Sequence, residues 1–194
     1  MKQTNKEKII RTFVAITLPG EIIAFLKNIQ DEIKRKGINA SFARPETMHI
    51  TLKFIGNTLK SDIETIVEVM KKTAKSHKPF LLSTGEIGIF PSKKKPGIIW
   101  AGIKENVNRL ETIQCDLETN FDLAGFKKEK KKFSPHITLA RLRKLQNRFT
   151  VIQLTNDFKD NVSKPFKCAS IELFQSELKH SGASHTKLFS VYMQ

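Results

Sequence analysis

The tetrapeptide His-Ile-Thr-Leu occurs twice in this chain of 194 residues, at His49 and at His136, 87 residues apart. The same offset places Phe13 in "RTFVAITL" on Trp100 in "GIIWAGI", two short β-rich runs. A constant offset across separate motifs is the mark of an internal repeat, and it constrains the fold more than any single element does. Each of the two β-rich runs is followed by a helical pattern. In the first half Ile22, Leu26, Ile29 and Ile33 recur at spacings of three and four between Pro19 and Gly37. In the second half Val107, Leu110, Ile113 and Leu117 share one face. Pro19 suits a helix start and Gly37 a helix end. After each His-Ile-Thr-Leu strand comes another helical stretch, roughly Lys60 to Lys75 and roughly Leu145 to Lys159. "KPF" then opens a strand-like run in both halves, ending in "IGIF" and "IELF", and "HTKLFSVYM" closes the chain as one more alternating strand.

Each half therefore reads strand, helix, His-x-Thr strand, helix, strand. The expected fold class is α+β: two duplicated lobes whose sheets flank a central cleft, with helices outside. No linker separates independent domains. The expectation is a single two-lobed domain, with lobe 1 at about 10–90, lobe 2 at about 97–194, and residues 1–9 as a short polar tail. "PSKKKPG", Pro91 to Gly97, is the expected crossover.

Side chains on a strand alternate between faces. In "HITLK" this places His49, Thr51 and Lys53 together, with Ile50 and Leu52 toward the core. In "HITLA" it places His136 and Thr138 together, with Ile137 and Leu139 opposite. Arg141 lies five residues after His136 and would point away in a regular strand, unless a bulge or strand end returns it. Two imidazoles facing one cleft suit in-line displacement at phosphorus. One, neutral, takes a proton from the attacking oxygen; the other, charged, gives one to the leaving oxygen. A reference pKa near 6.5 makes both states accessible around neutral pH. Threonine hydroxyls and a nearby cation, with Lys53 as the candidate on the His49 face, would hold the non-bridging phosphate oxygens. Zinc is the other use of paired histidines, but it needs a third protein ligand, and His77, His180 and His185 have no ligand spacing to either motif. No metal and no other cofactor is expected. Phe13 and Trp100 fit either base stacking or core packing.

Lys+Arg number 34 against 19 Asp+Glu, a net charge of +15. Such a surplus favours polyanions such as nucleic acid. "KKK" at Lys93 to Lys95 and "KKEKKK" at Lys127 to Lys132 fit an RNA-facing rim or merely solvated loops. No run approaches the roughly 20 apolar residues of a membrane span, and the opening residues lack the features of a signal peptide. The two cysteines, Cys115 and Cys168, fit no ligand spacing and read as buried or half-buried free thiols in a reducing cytoplasm. Nothing demands more than a monomer.

Taken together, "HITLKFIG", "SPHITLAR", the opening "RTFVAITLP", "IIWAGI" and the late "IELFQSEL" followed by Gly182 resemble the 2H phosphoesterase superfamily. More narrowly, they are similar to the RNA 2′,3′-cyclic phosphodiesterases, also called 2′-5′ RNA ligases. The resemblance implies metal-free hydrolysis of an RNA 2′,3′-cyclic phosphate to a 2′-phosphomonoester, with weak reverse ligation. It implies His49 as proton donor, His136 as proton acceptor, and Thr51 and Thr138 as phosphate-binding residues. Arg141 maps onto an arginine that the family uses near the phosphate. One departure is visible, since the family often has a tyrosine where this chain has His185. Two alternatives stand beside this reading: a non-catalytic RNA-binding module, and a phosphodiesterase acting on small cyclic nucleotides.

Overall fold

A computed structural model describes residues 8–92, 94–143, 148–179 and 182–194. The first half runs β1 (Ile9–Thr17), α1 (Gly20–Arg35), β2 (Ala40–Phe42), β3 (His49–Leu59), α2 (Ile63–Lys75), β4 (Phe80–Leu82) and β5 (Thr84–Ser92). The second runs β6 (Lys95–Ile103), α3 (Val107–Leu123), β7 (His136–Leu142), α4 (Arg148–Asp157), β8 (Phe166–Cys168), β9 (Ser170–Lys179) and β10 (Gly182–Tyr192). The α+β class and the repeated element order follow the sequence pattern. The polar tail is shorter than the reading of 1–9, because Ile9 already pairs with Leu59. The tail up to residue 7, Lys93 and the first residues of the Leu145–Lys159 stretch lie outside the described residues.

Local sequence explains the elements. Pro19 sits before α1 in an extended conformation, and its carbonyl accepts the amides of Ile22 and Ile23. Proline suits a helix start because its fixed φ costs nothing there. Gly37 ends the helix with φ +72°, where a Cβ would be strained. The face bearing Ile22, Leu26, Ile29 and Ile33 is buried, as is the Leu110, Ile113, Leu117 and Phe121 face of α3.

The strands form two four-stranded sheets, ordered β10-β9-β1-β3 and β2-β7-β6-β5, with a two-stranded β4-β8 ribbon. Here the structure differs from the lobes drawn at 10–90 and 97–194. Each half sends its last repeat strand to the other half's sheet: β5 pairs with β6, and β9 pairs with β1. Helices are exchanged too. α2 and α3 pack on the first sheet, and α1 and α4 on the second. The described residues of the Pro91 to Gly97 stretch accordingly form the end of the β5–β6 hairpin, not a passage between lobes. Sequence order cannot reveal such an exchange, because pairing partners are set by burial of faces and not by chain proximity.

Both His-x-Thr strands carry a bulge at the same repeat position. On the first, Val14 pairs with Lys53 and Ala15 with Thr51, so Leu52 is unopposed. On the second, Ile99 pairs with Ala140 and Trp100 with Thr138, so Leu139 is unopposed. An extra residue reverses the parity of everything beyond it. Leu52 and Lys53 therefore both turn inward, as do Leu139 and Ala140. Phe54 and Arg141, the next pair 87 residues apart, turn outward.

Candidate active site

β3 and β7 approach each other across the interior of the molecule. Each brings a half-buried histidine and a half-buried threonine on the face opposite the buried Ile50, Leu52, Ile137 and Leu139. The two histidines are held alike. His49 Nδ1 lies 2.8 Å from the Thr47 carbonyl, and His136 Nδ1 lies 2.7 Å from the Ser134 carbonyl. A carbonyl only accepts, so each Nδ1 donates, and Nε2 of the neutral ring is left with its lone pair. The carbonyl two residues upstream thus fixes tautomer and ring orientation in both halves.

Aromatic rings bracket each imidazole. The His49 ring centroid is 4.8 Å from that of Phe13, 6.3 Å from Phe174 and 5.3 Å from His185. That of His136 is 4.9 Å from Phe90 and 6.1 Å from Trp100. Phe13 and Trp100 are the repeat-related pair, and Phe174 and Phe90 end the "IELF" and "IGIF" runs. The halves therefore share their packing as well as their imidazoles. Gly88 permits it on the second side, since a Cβ there would come within 1.9 Å of the Trp100 ring.

The bracketing has electrostatic consequences. His49 is pushed down to about 4, chiefly because burial penalises the charged ring. The positive potential of His185, and less that of His136, adds to this, while the Thr47 carbonyl opposes it. In the unliganded protein His49 is neutral at physiological pH.

The remaining expected residues divide. Arg141 is on the cleft face, returned there by the β7 bulge. Lys53 is not, and this corrects its assignment to phosphate. Its side chain is fully buried, with Nζ 2.7 Å from Glu118 Oε2 and 3.0 Å from the Lys127 carbonyl. The mirror bulge on β3 turned it inward, where it anchors the loop that leads to His136. Phe13 is 2% exposed, so it offers no free face to a base and packs the site instead. Trp100 is half-buried, and its indole Nε1 is shielded from solvent without a hydrogen-bond partner. Cys168 is buried and its thiol is pushed up to about 12 by burial, whereas Cys115 is exposed, contrary to the reading of both as buried or half-buried. Among the described residues no group of three or more His, Cys, Asp or Glu is placed to hold a metal ion. His77 is engaged elsewhere, 2.8 Å from Asp116, and His180 lies outside the described residues. No described helix is long and apolar enough to cross a membrane.

Sequence reasoning missed Phe54, which is 57% exposed on the cleft face 6.0 Å from Phe13. It also missed Phe90 and Phe174 as site residues. Their signal was present in the shared ending of "IGIF" and "IELF".

The chain is similar to known proteins in sequence and in fold. The chain is 27% identical over 179 residues to an RNA 2′,3′-cyclic phosphodiesterase of Methanothermobacter thermautotrophicus, covering 92% of this chain and 96% of the relative. It is 30% identical over 173 residues to the protein of that name from Methanocaldococcus jannaschii, covering 89% and 95%. In fold it is similar to a crystal structure from Thermus thermophilus, with TM-score 0.79 and 23% identity over 95% of this chain and 98% of that one. It is likewise similar to Escherichia coli LigT in apo form, with TM-score 0.74 and 17% identity over 96% and 98%. The model of the LigT-like phosphoesterase family matches residues 16–100 and 102–183, so the chain belongs to that family.

Proposed function

We propose that this protein is a metal-independent RNA 2′,3′-cyclic phosphodiesterase that opens a terminal cyclic phosphate to a 2′-phosphomonoester, with weak 2′-5′ ligation where an RNA 5′ hydroxyl replaces water as the attacking group. The observation that carries the reading is the paired anchoring of His49 and His136, each with Nδ1 given to a backbone carbonyl and Nε2 left for a substrate. The names of the relatives support the choice of substrate.

In the proposed cycle His136 Nε2 takes a proton from water as its oxygen attacks phosphorus. His49 donates a proton to the departing 3′ oxygen, and the 2′ oxygen keeps the phosphate. Because the repeat is symmetric, this assignment of donor and acceptor follows the family and not the geometry. Thr51 and Thr138 hold the non-bridging oxygens, and the Arg141 guanidinium offsets their charge. His49 is neutral before substrate arrives. An anionic phosphate beside it favours the imidazolium, so the donor proton is taken up with the substrate. A single chain supplies both half-sites, which fits a monomer, and two free thiols fit a reducing cytoplasm.

The test is turnover of a 2′,3′-cyclic-phosphate oligonucleotide with product ends separated into 2′- and 3′-phosphates. His49→Ala and His136→Ala should each lose about a thousandfold or more in kcat, within the usual reach of positioned acid–base groups. Activity should persist in EDTA. Full turnover by either variant, or rescue of a chelated enzyme by zinc, sinks the proposal. Binding without turnover by the unaltered protein would favour an RNA-binding module.

A further inference from the structure

A third histidine lies in the site, and the acid–base scheme does not use it. β10 reaches across to the short 3-10 turn Pro45–Thr47 that precedes His49. It is latched there by Arg44, whose guanidinium donates to the Ala183 carbonyl at 2.7 Å. This places His185 edge-on to two rings at once. Its centroid is 5.3 Å from that of His49 at an interplanar angle of 84°, and 5.0 Å from Phe13 at 76°. Its Nδ1 is shielded from solvent and has no hydrogen bond of good geometry. A buried polar nitrogen without a partner is uncommon and calls for an explanation.

We propose that His185 is a positioning residue for His49: it holds the His49 ring against Phe13 and competes with it for one proton. The proposal rests on the reading of His49 as a proton-transfer residue. Two imidazoles in edge-to-face contact within an aromatic pocket do not both charge readily, because each charge is poorly solvated and repels the other. One proton therefore serves the pair, and an entering phosphate decides that His49 holds it. Burial lowers the affinity of His185 for a proton as well, with Arg44 acting in the same direction and the Ser184 backbone opposing both. The other charged or titratable groups around the pair come from every neighbouring element. Glu46 is ion-paired to Arg44 at 3.3 Å. Arg11 on β1 shares a register row with Ser176 and His185, Glu177 on β9 pairs with Ser184, and Lys187 lies two residues farther along β10. His136 faces the pair from β7.

The experiment follows the His49 ring by NMR as pH is lowered in the full-length protein, alongside the pH profile of kcat/KM on a 2′,3′-cyclic nucleotide. His185→Gln keeps a polar side chain and removes the charge; His185→Lys makes the charge persistent. The His49 midpoint should move up by about half a unit or more in the first and down in the second, and the limb of kcat/KM that His49 sets should move with it. A residue that only packs would shift both variants in the same direction or neither, and either result overturns the proposal. The NMR readout does not need turnover. If His49→Ala retains activity while the midpoints still move apart, the proton competition stands and the proposed function fails.

Discussion

At the scale of single residues, strand parity gives the facing of four candidate residues and inverts that of two. His49, Thr51, His136 and Thr138 precede the bulges, so simple alternation places them correctly. Lys53 and Arg141 follow the bulges, and there alternation inverts. No residue type in "HITLKF" or "HITLAR" marks an inserted residue, since leucine fits a bulge as well as a regular strand. Lys53 and Arg141 should therefore fail differently when altered. Arg141→Ala should raise KM and lower kcat on a cyclic phosphate, about tenfold or more together, with little change in a urea melt. Lys53→Ala should leave Glu118 facing a buried gap and cost about 3 kcal/mol in the same melt, while KM of the folded fraction stays unchanged. His49 makes a second prediction at this scale. Its folded-state pKa, about 4, lies below its ordinary value of 6.5, so the unfolded chain binds more protons between those limits. Stability contributed by the neutral ring is present above pH 6.5 and is lost as pH falls toward 4. Thermal melts across that window should show a decline that His49→Gln flattens, and an unchanged slope in the variant would count against a depressed His49.

At the scale of elements, most of the fold was readable because helices and strands announce themselves by local period. The three- and four-residue spacings gave α1 and α3 their buried faces, and Pro19 and Gly37 gave α1 its ends. Less was readable where a contact depends on two strands at once. Gly88 looks like an ordinary strand glycine, yet it is where the Trp100 indole lies across β5. Adding a methyl there forces the indole off its neighbour, because the clash is with rigid ring carbons and not with a flexible chain end. Gly88→Ala should shift the emission of the chain's one tryptophan. It should also lower kcat, since Trp100 and Phe90 together bracket His136. Unaltered fluorescence with unaltered kcat would mean that the indole has another place to lie.

At the scale of the whole molecule, the repeat was legible and its assembly was not. Period and offset reveal that two like units exist, but they carry no information about which strand pairs with which. The structure resolves this by exchange, with β5 given to the second sheet and β9 and β10 to the first. Exchange has a functional consequence. β1 and β9 place Phe13 and Phe174 against His49, while β5 and β6 place Phe90 and Trp100 against His136, so each half-site draws rings from both halves of the chain. It also has a thermodynamic one. A fragment ending in the β5–β6 hairpin retains β1 and β3 but loses β9, exposing the buried Leu173 partner face of β1 and an unpaired strand edge. The complementary fragment keeps β6 and β7 but loses β5, and with it the seat of Trp100. Neither should fold alone. A chain cut between Ser92 and Lys95 should give two pieces that are unfolded separately by circular dichroism and that regain structure and cyclic phosphodiesterase activity only when mixed. Independent folding of either piece would mean that a half-chain can close its own sheet, and the two lobes would then be separable along the sequence after all.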